Sequence, residues 1–184
     1  GRWNQFDITR WRADSAVDQW GTFILVREAR SGATWAATLQ PTCDDRREMS
    51  AIFTANRAEF RRVFLGIEST LNVVVGADED VEVRKLTIVN RTRRRRFLDI
   101  SSFAELAMAP PAADAAHAAF NKIFVETEVE DGVIVAHRRL RDPDDPPLWV
   151  AHMLVGATGN VECETDRATF LGRGRTAGFA EAYD

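Results

Sequence analysis

Residues 66 to 105, GIESTLNVVVGADEDVEVRKLTIVNRTRRRRFLDISSFAE, decide the fold class of this chain. Ile67, Leu71, Val73 and Val75 share one parity, and Gly76 to Asp80 form a polar turn. Val81 and Val83 resume the alternation, but Leu86 and Ile88 continue it on the opposite parity. Strand side chains change face at every residue, so the switch at Arg84 and Lys85 predicts a bulge or a strand buried on both faces. Beyond Asn90 and an arginine tract, Leu98 and Ile100 restart the pattern and Phe103 closes it. Alternation punctuated by turn residues is the signature of a β meander.

The flanking segments extend this reading. Trp20 to Arg27 is apolar on both parities, as a strand covered on two sides would be. Ser31-Gly32 suits a hairpin turn leading to a partner strand over Thr34 to Gln40, which Pro41 ends. Glu48 to Thr54 reads as a short strand. Asn56 to Leu65 fits neither period cleanly, and a strand is preferred to a helix because Gly66 and the alternating run follow directly. Residues 1 to 19 read as an irregular or edge segment.

Pro110-Pro111 breaks the pattern, and Ala112 to Phe124 has helical spacing with Asp114 available as an N-cap. Strands are expected at Phe124 to Val129 and Val133 to Arg139 around Glu130-Asp131-Gly132, then at Leu148 to Val155 after a stiff loop over Arg141 to Pro147. A turn over Gly156 to Asn160 leads into Val161 to Leu171, expected to close the last strand pair. The prediction is a single, mainly all-β domain over residues 1–184, an antiparallel sandwich with one short helix or irregular connection.

A chain of 184 residues can bury a sizeable core. Its 24 basic and 28 acidic side chains leave a net charge of −4, so no global field draws it to nucleic acid or lipid. Cys43 and Cys163 stand far apart without a C-x-x-C pattern and are expected as reduced, buried thiols, a single disulfide being the alternative. No apolar run approaches the ~20 residues of a spanning helix. A start at Gly1 rather than Met suggests a piece of something longer.

Few motifs carry chemistry. Five arginines crowd Asn90 to Arg96; the flanking strands favour a solvated turn, with anionic lipid facing Arg93 to Arg96 as the alternative. No aromatics interleave with them, which argues against single-stranded nucleic acid. His117, His137 and His152 show no zinc-ligand spacing, and Asp142-Pro143-Asp144 reads as a plain loop. No phosphate-binding glycine loop or nucleophile elbow is present, so no catalytic residue, metal site or cofactor is expected. The coincidence of tryptophan with arginine and carboxylate is more informative: Arg10, Trp11, Arg12 and Asp14, then Trp20, Trp35 and Trp149. Pyranose C–H faces stack on aromatic rings and hydroxyls accept from guanidinium, so this mixture suits carbohydrate recognition; the same tryptophans also suit a core.

The order Thr9-Arg10-Trp11-Arg12-Ala13-Asp14, Trp20-Gly21, Arg27-Glu28, Ser31-Gly32, Trp35, Gln40-Pro41, Val81-Glu82-Val83-Arg84, Ser102-Phe103-Ala104-Glu105-Leu106, Ala113 to Phe120, Lys122-Ile123-Phe124, His137 to Arg141, Thr165-Asp166-Arg167 and Phe170 to Arg173 resembles the cellobiose phosphorylase family. The likeness is to the N-terminal β-sandwich domain of that family, glycosyltransferase family 36, now glycoside hydrolase family 94, and the sequence most resembles the branch in cyclic β-1,2-glucan synthases. Departures are Ala118 in place of proline, Glu28 in place of aspartate and Ala36 in place of serine.

The resemblance implies a truncated β supersandwich. The bond-breaking acid would sit on a separate (α/α)6 barrel, and the parent would be a larger protein at the cytoplasmic side of the bacterial inner membrane. Arg138, Arg139 and Arg141 align with a segment that contacts the acceptor sugar in the phosphorylases, a surface strand end being the alternative. Arg10, Trp11 and Arg12 become candidate glucan contacts or braces against the barrel. Asp14, Asp166 and Arg167 become structural, with Asp166 and Arg167 pairing to fix a turn. The implied partners are a β-linked, chiefly β-1,2-linked, gluco-oligosaccharide and the catalytic domains of the same polypeptide, with a homodimer through exposed sheet edges as a further expectation. A purely structural domain that never touches sugar is the rival reading.

Overall fold

The structure, a computed structural model, describes residues 1–12, 20–42 and 48–183. Asp14 and Cys43 lie outside the described residues. Strands β1 (Arg2–Trp3), β2 (Phe6–Thr9), β3 (Thr22–Glu28), β4 (Thr34–Ala36), β5 (Met49–Phe53), β6 (Arg57–Phe64), β7 (Ile67–Val75), β8 (Glu82–Asn90), β9 (Leu98–Ala104) and β10 (Leu106–Ala109) precede two short helices, α1 (Pro111–Ala116) and α2 (Ala118–Lys122). Strands β11 (Val125–Glu130), β12 (Val133–Arg138) and β13 (Trp149–Met153) follow, and helix α3 (Arg167–Leu171) leads to two 3-10 turns. Every pairing among them is antiparallel.

Two sandwiches result. In the first, the sheet β4-β3-β9 faces the sheet β5-β6-β7-β8, and Ile24, Val26, Trp35, Ile67 and Leu71 fill the space between them. In the second, β1-β2-β10 faces β11-β12-β13 across Met108, Ala136 and Leu148. Strands β9 and β10 are nearly continuous, so Glu105 between them marks the junction of the two sandwiches. The other face of β3, carrying Phe23 and Leu25, is covered by Leu171, Ala177 and Ala180 from the C-terminal segment. That cover explains why β3 is apolar on both parities.

Four expectations are corrected. Residues 1 to 19 are expected as an irregular or edge segment, yet β2 within them is the central strand of its sheet. The β7–β8 ladder runs without a register break from Ile67↔Asn90 to Val75↔Glu82, so there is neither a bulge nor a doubly buried strand. Instead Arg84 shares the inward parity of Leu86 and Ile88, where its Nη1 donates to the Thr22 carbonyl at 2.6 Å, and Val83 points outward at 56% exposure. An apolar residue faces water and an arginine takes the core row, which alternation alone reads backwards. Asp114 does not cap α1; it lies inside the helix, whose first residue is Pro111, where a missing N–H costs nothing. The last strand pair is absent over the described residues 161–171, where Asp166 caps α3 by accepting from the N–H groups of Ala168 at 2.7 Å and Thr169 at 3.1 Å.

The preferred strand over residues 56 to 65 is present as β6. It turns into β7 through Leu65 and Gly66, both at positive φ, as a two-residue primed hairpin turn requires. The arginine tract packs on that turn: a Cβ on Gly66 would lie 2.5 Å from the Thr92 methyl, and Arg96 Nη2 donates to the Leu65 carbonyl at 2.6 Å. Arg91 bridges to Glu68, whereas Arg93, Arg94 and Arg95 remain exposed. The tract is thus a turn between β8 and β9, two of its arginines being used inside the domain.

The burial pattern sets contrasting costs for substitution. Leu25→Ala, at 1% exposure, is expected to lower unfolding free energy by about 2–5 kcal/mol. Val83→Thr should change it by no more than about 0.5 kcal/mol. Chemical denaturation of the two variants checks this, and equal losses would contradict the assignment of inner and outer rows.

Candidate functional site

Two clusters of candidate side chains flank the α1–α2 segment. The first is built on Arg10, which follows β2 and is only 2% exposed. Its Nε and Nη2 donate to the two oxygens of Asp114 at 2.7 and 2.6 Å, and its Nη1 donates to Glu105 Oε1 at 2.6 Å. This is the bidentate geometry that a planar guanidinium offers a carboxylate. Lys122 of α2 also contacts Glu105, and Arg167 at the start of α3 lies 3.3 Å from it. Arg12 donates to the Asp114 carbonyl at 3.1 Å. The Trp20 ring lies under both guanidinium groups, 5.4 Å from Arg10 and 6.0 Å from Arg12.

The hydrogen bond from Arg10 holds the Asp114 carboxyl below the usual aspartate range against the opposing effect of burial, and the guanidinium of Arg10 is raised by the same bond. Beside this network, Trp20, Phe103, Glu105, Arg167 and Leu171 border a cavity of about 20 Å³. It has room for a water molecule and not for a sugar ring. Arg10 is therefore fully committed to carboxylates. Trp11, at 61% exposure, and the half-free Arg12 are the members of that trio that reach the surface. Arg167 turns to Glu105, and Asp166 to its own helix, so the two do not form the expected pair.

The second cluster gathers Arg138, Arg139 and Arg141. Their guanidinium carbons lie 5.3, 5.6 and 5.2 Å from the centre of the Phe124 ring, and Arg141 also lies 5.5 Å from Phe120. Phe120 and Phe124 meet edge to face at 5.3 Å. Asn121 of α2, itself buried, takes Arg138 through its side-chain oxygen at 3.2 Å. Burial and the neighbouring Arg141 lower the Arg138 pKa, yet a guanidinium stays charged at neutral pH. The loop after β12 is fixed by the Asp145 carboxylate, which accepts from the N–H groups of Arg141 and Asp142 at 3.2 and 3.1 Å. The three arginines named from sequence are brought together, while the aromatic ring they surround was not anticipated.

The supersandwich domain model of glycosyl hydrolase 94 matches residues 1–184. The chain belongs to that family. This supersandwich domain is 35% identical to the cyclic beta-(1,2)-glucan synthase NdvB of Rhizobium meliloti (strain 1021), over 100% of the chain and 7% of that protein. It is 23% identical to the solabiose phosphorylase of Paenibacillus borealis, over 82% of the chain and 19% of that protein. The chain thus spans a small part of the relatives it matches.

Among the described residues of the supersandwich domain, Cys163 is a free thiol, and no group of three His, Cys, Asp or Glu side chains could hold a metal ion. The residues that sequence reasoning missed are Glu105 and Asp114 as a shared counter-charge. A carboxylate in an alanine-rich helix was the available signal.

Removing the Asp114 carboxylate leaves Nε and Nη2 of the buried Arg10 without acceptors and Glu105 as its remaining counter-charge, so Asp114→Ala is expected to cost about 1–3 kcal/mol of stability. Because the folded pKa of Asp114 is depressed, its contribution is complete above the ordinary aspartate range and is lost as pH falls toward the lowered value. Thermal melts from pH 6 down to pH 2 should therefore show a steeper acid loss in the unaltered chain than in Asp114→Asn.

Proposed function

We propose that this domain is a non-catalytic accessory module of a β-glucan-handling enzyme, supporting recognition of a glucan chain whose bonds are made or broken by other domains of a longer protein. The observation that carries this reading is the convergence of Arg138, Arg139 and Arg141 on Phe124. Guanidinium forks donate to paired hydroxyls, and the rings beside them accept C–H faces. The names of the two relatives, a glucan synthase and a disaccharide phosphorylase, support the choice of ligand class.

Three carboxylates among the described residues, Glu28, Glu68 and Asp114, have displaced pKa values, all lowered. A glycosidic general acid needs a raised pKa. Here Ser31 holds Glu28 low, Arg10 holds Asp114 low, and for Glu68 burial is outweighed by Arg91 and Arg61. In this reading the longer protein sits at the cytoplasmic side of the bacterial inner membrane. No helix among the described residues is long and apolar enough to cross a membrane.

A second reading, a structural domain that only packs against a catalytic domain or a second copy, is favoured by one feature. The exposed Trp11 directly follows the buried Arg10 in the chain, so its backbone is anchored beside the ion cluster, which suits a rigid docking face.

The two readings separate in the longer enzyme. Arg141→Ala is expected to raise KM for a gluco-oligosaccharide acceptor about tenfold with little change in kcat, since a substrate-positioning contact is lost. Unchanged kinetics in Arg141→Ala, together with loss of assembly in Trp11→Ala, would favour the structural reading.

A further inference from the structure

The outward face of the sheet β11-β12-β13 carries a row, Glu126, His137 and Trp149, that meets the second cluster only at Arg139. The hairpin register sets Glu126 opposite His137 and His137 opposite Trp149. The His137 and Trp149 rings stack at 4.5 Å with planes 22° apart. His137 Nε2 lies 2.9 Å from Glu126 Oε2, and Arg139 Nη1 lies 3.5 Å from Glu126 Oε1. Trp149 nevertheless stays 63% exposed, because it lies on the free edge strand of the sheet and its stacked neighbour covers one ring face.

We propose that Trp149 is a platform on which a pyranose ring of a saccharide chain stacks, using the ring face that His137 leaves open. An exposed indole is ordinarily free to sample several rotamers, and fixing it on binding costs entropy. Here the relay from Arg139 to Glu126 to His137 fixes the indole beforehand. His137 is thus a positioning residue for Trp149.

The surroundings identify the ligand class. Glu126, Glu128 and Glu130 run along β11 on the same exposed side, and Ala151 separates Trp149 from Met153. The register sets Val135 beside Ala151 and Val133 beside Met153 between Trp149 and that glutamate row, so the indole ends a short apolar strip rimmed by carboxylates, which matches a ring with one apolar face and a hydroxylated rim. Among the described residues the outer edge of β13 pairs with no strand, and it supplies backbone N–H and C=O groups within the same strand. The choice of a glucan among saccharides rests on the proposed function, while the geometry of the platform does not.

The test is calorimetric titration of the chain with a β-1,2-linked gluco-oligosaccharide at up to about 10 mM. Saturable binding is expected, weakened about tenfold or more by Trp149→Ala and largely restored in Trp149→Phe. His137→Ala should weaken it to an intermediate degree, and Phe53→Ala, which removes an exposed ring from another sheet, should not. Melting curves confirm that each variant is folded. Saturable binding that Trp149→Ala leaves intact would overturn the platform while leaving the glucan reading standing. Absence of saturable binding would overturn the platform, whereas the glucan reading stands or falls on the Arg141→Ala kinetics. A concentration-dependent dimer abolished by Trp149→Ala, with no response to saccharide, would assign this face to a second copy and overturn the proposal.

Discussion

A single buried guanidinium holds this architecture in register. Arg10 leaves the second sandwich, meets Glu105 at the junction between the sandwiches, and grips Asp114 on α1 with both remaining nitrogens. Transferring such charges out of water is costly, and a well-packed apolar cluster could hold the same volume as firmly. What the ion cluster adds is direction. A carboxylate pair matched to a planar fork accepts one geometry, where apolar side chains accept several. Through Lys122 and Arg167 the same node also ties α2 and α3, and therefore the C-terminal cover over β3, to one residue between β9 and β10.

The candidate surfaces follow from that placement. α2 presents Asn121 inward to Arg138 and Phe120 outward, so the arginine cluster depends on where the helix sits. The opposite face of the same hairpin carries the Trp149 row. One short β-hairpin thereby serves two surfaces: inward packing by Ala136 toward the core, outward display by His137, and a cationic strand end from Arg138 to Arg141. Neither surface requires a carboxylate with a raised pKa, in keeping with the proposed accessory role.

Much of this order was readable in the residues. The strands of the meander, the two-sided β3 and the hairpin around Glu130-Asp131-Gly132 all follow from parity and turn chemistry; the structure closes that hairpin with Asp131 and Gly132 alone, which sets Glu126 opposite His137. The reading failed where a polar residue took an inward row or an apolar one faced water. Arg84 and Val83 are the clearest case, because alternation assumes that hydrophobicity marks the buried face. It failed again at Asp114, where helix-cap chemistry competes with long-range pairing: the partner lies 104 residues away and leaves no local trace. At Asp166 the cap itself was the signal, and reading Val161 to Leu171 for strand period obscured it.

The central claim is that Arg10 orients the α1–α2 segment relative to the two sandwiches. Native-state amide hydrogen exchange on Arg10→Met measures it directly. The account predicts faster exchange confined to residues 111–124 and the neighbouring β10, with protection in the distant sheet β5-β6-β7-β8 unchanged. Uniform acceleration across all four sheets, or no change around α1 and α2, would contradict it.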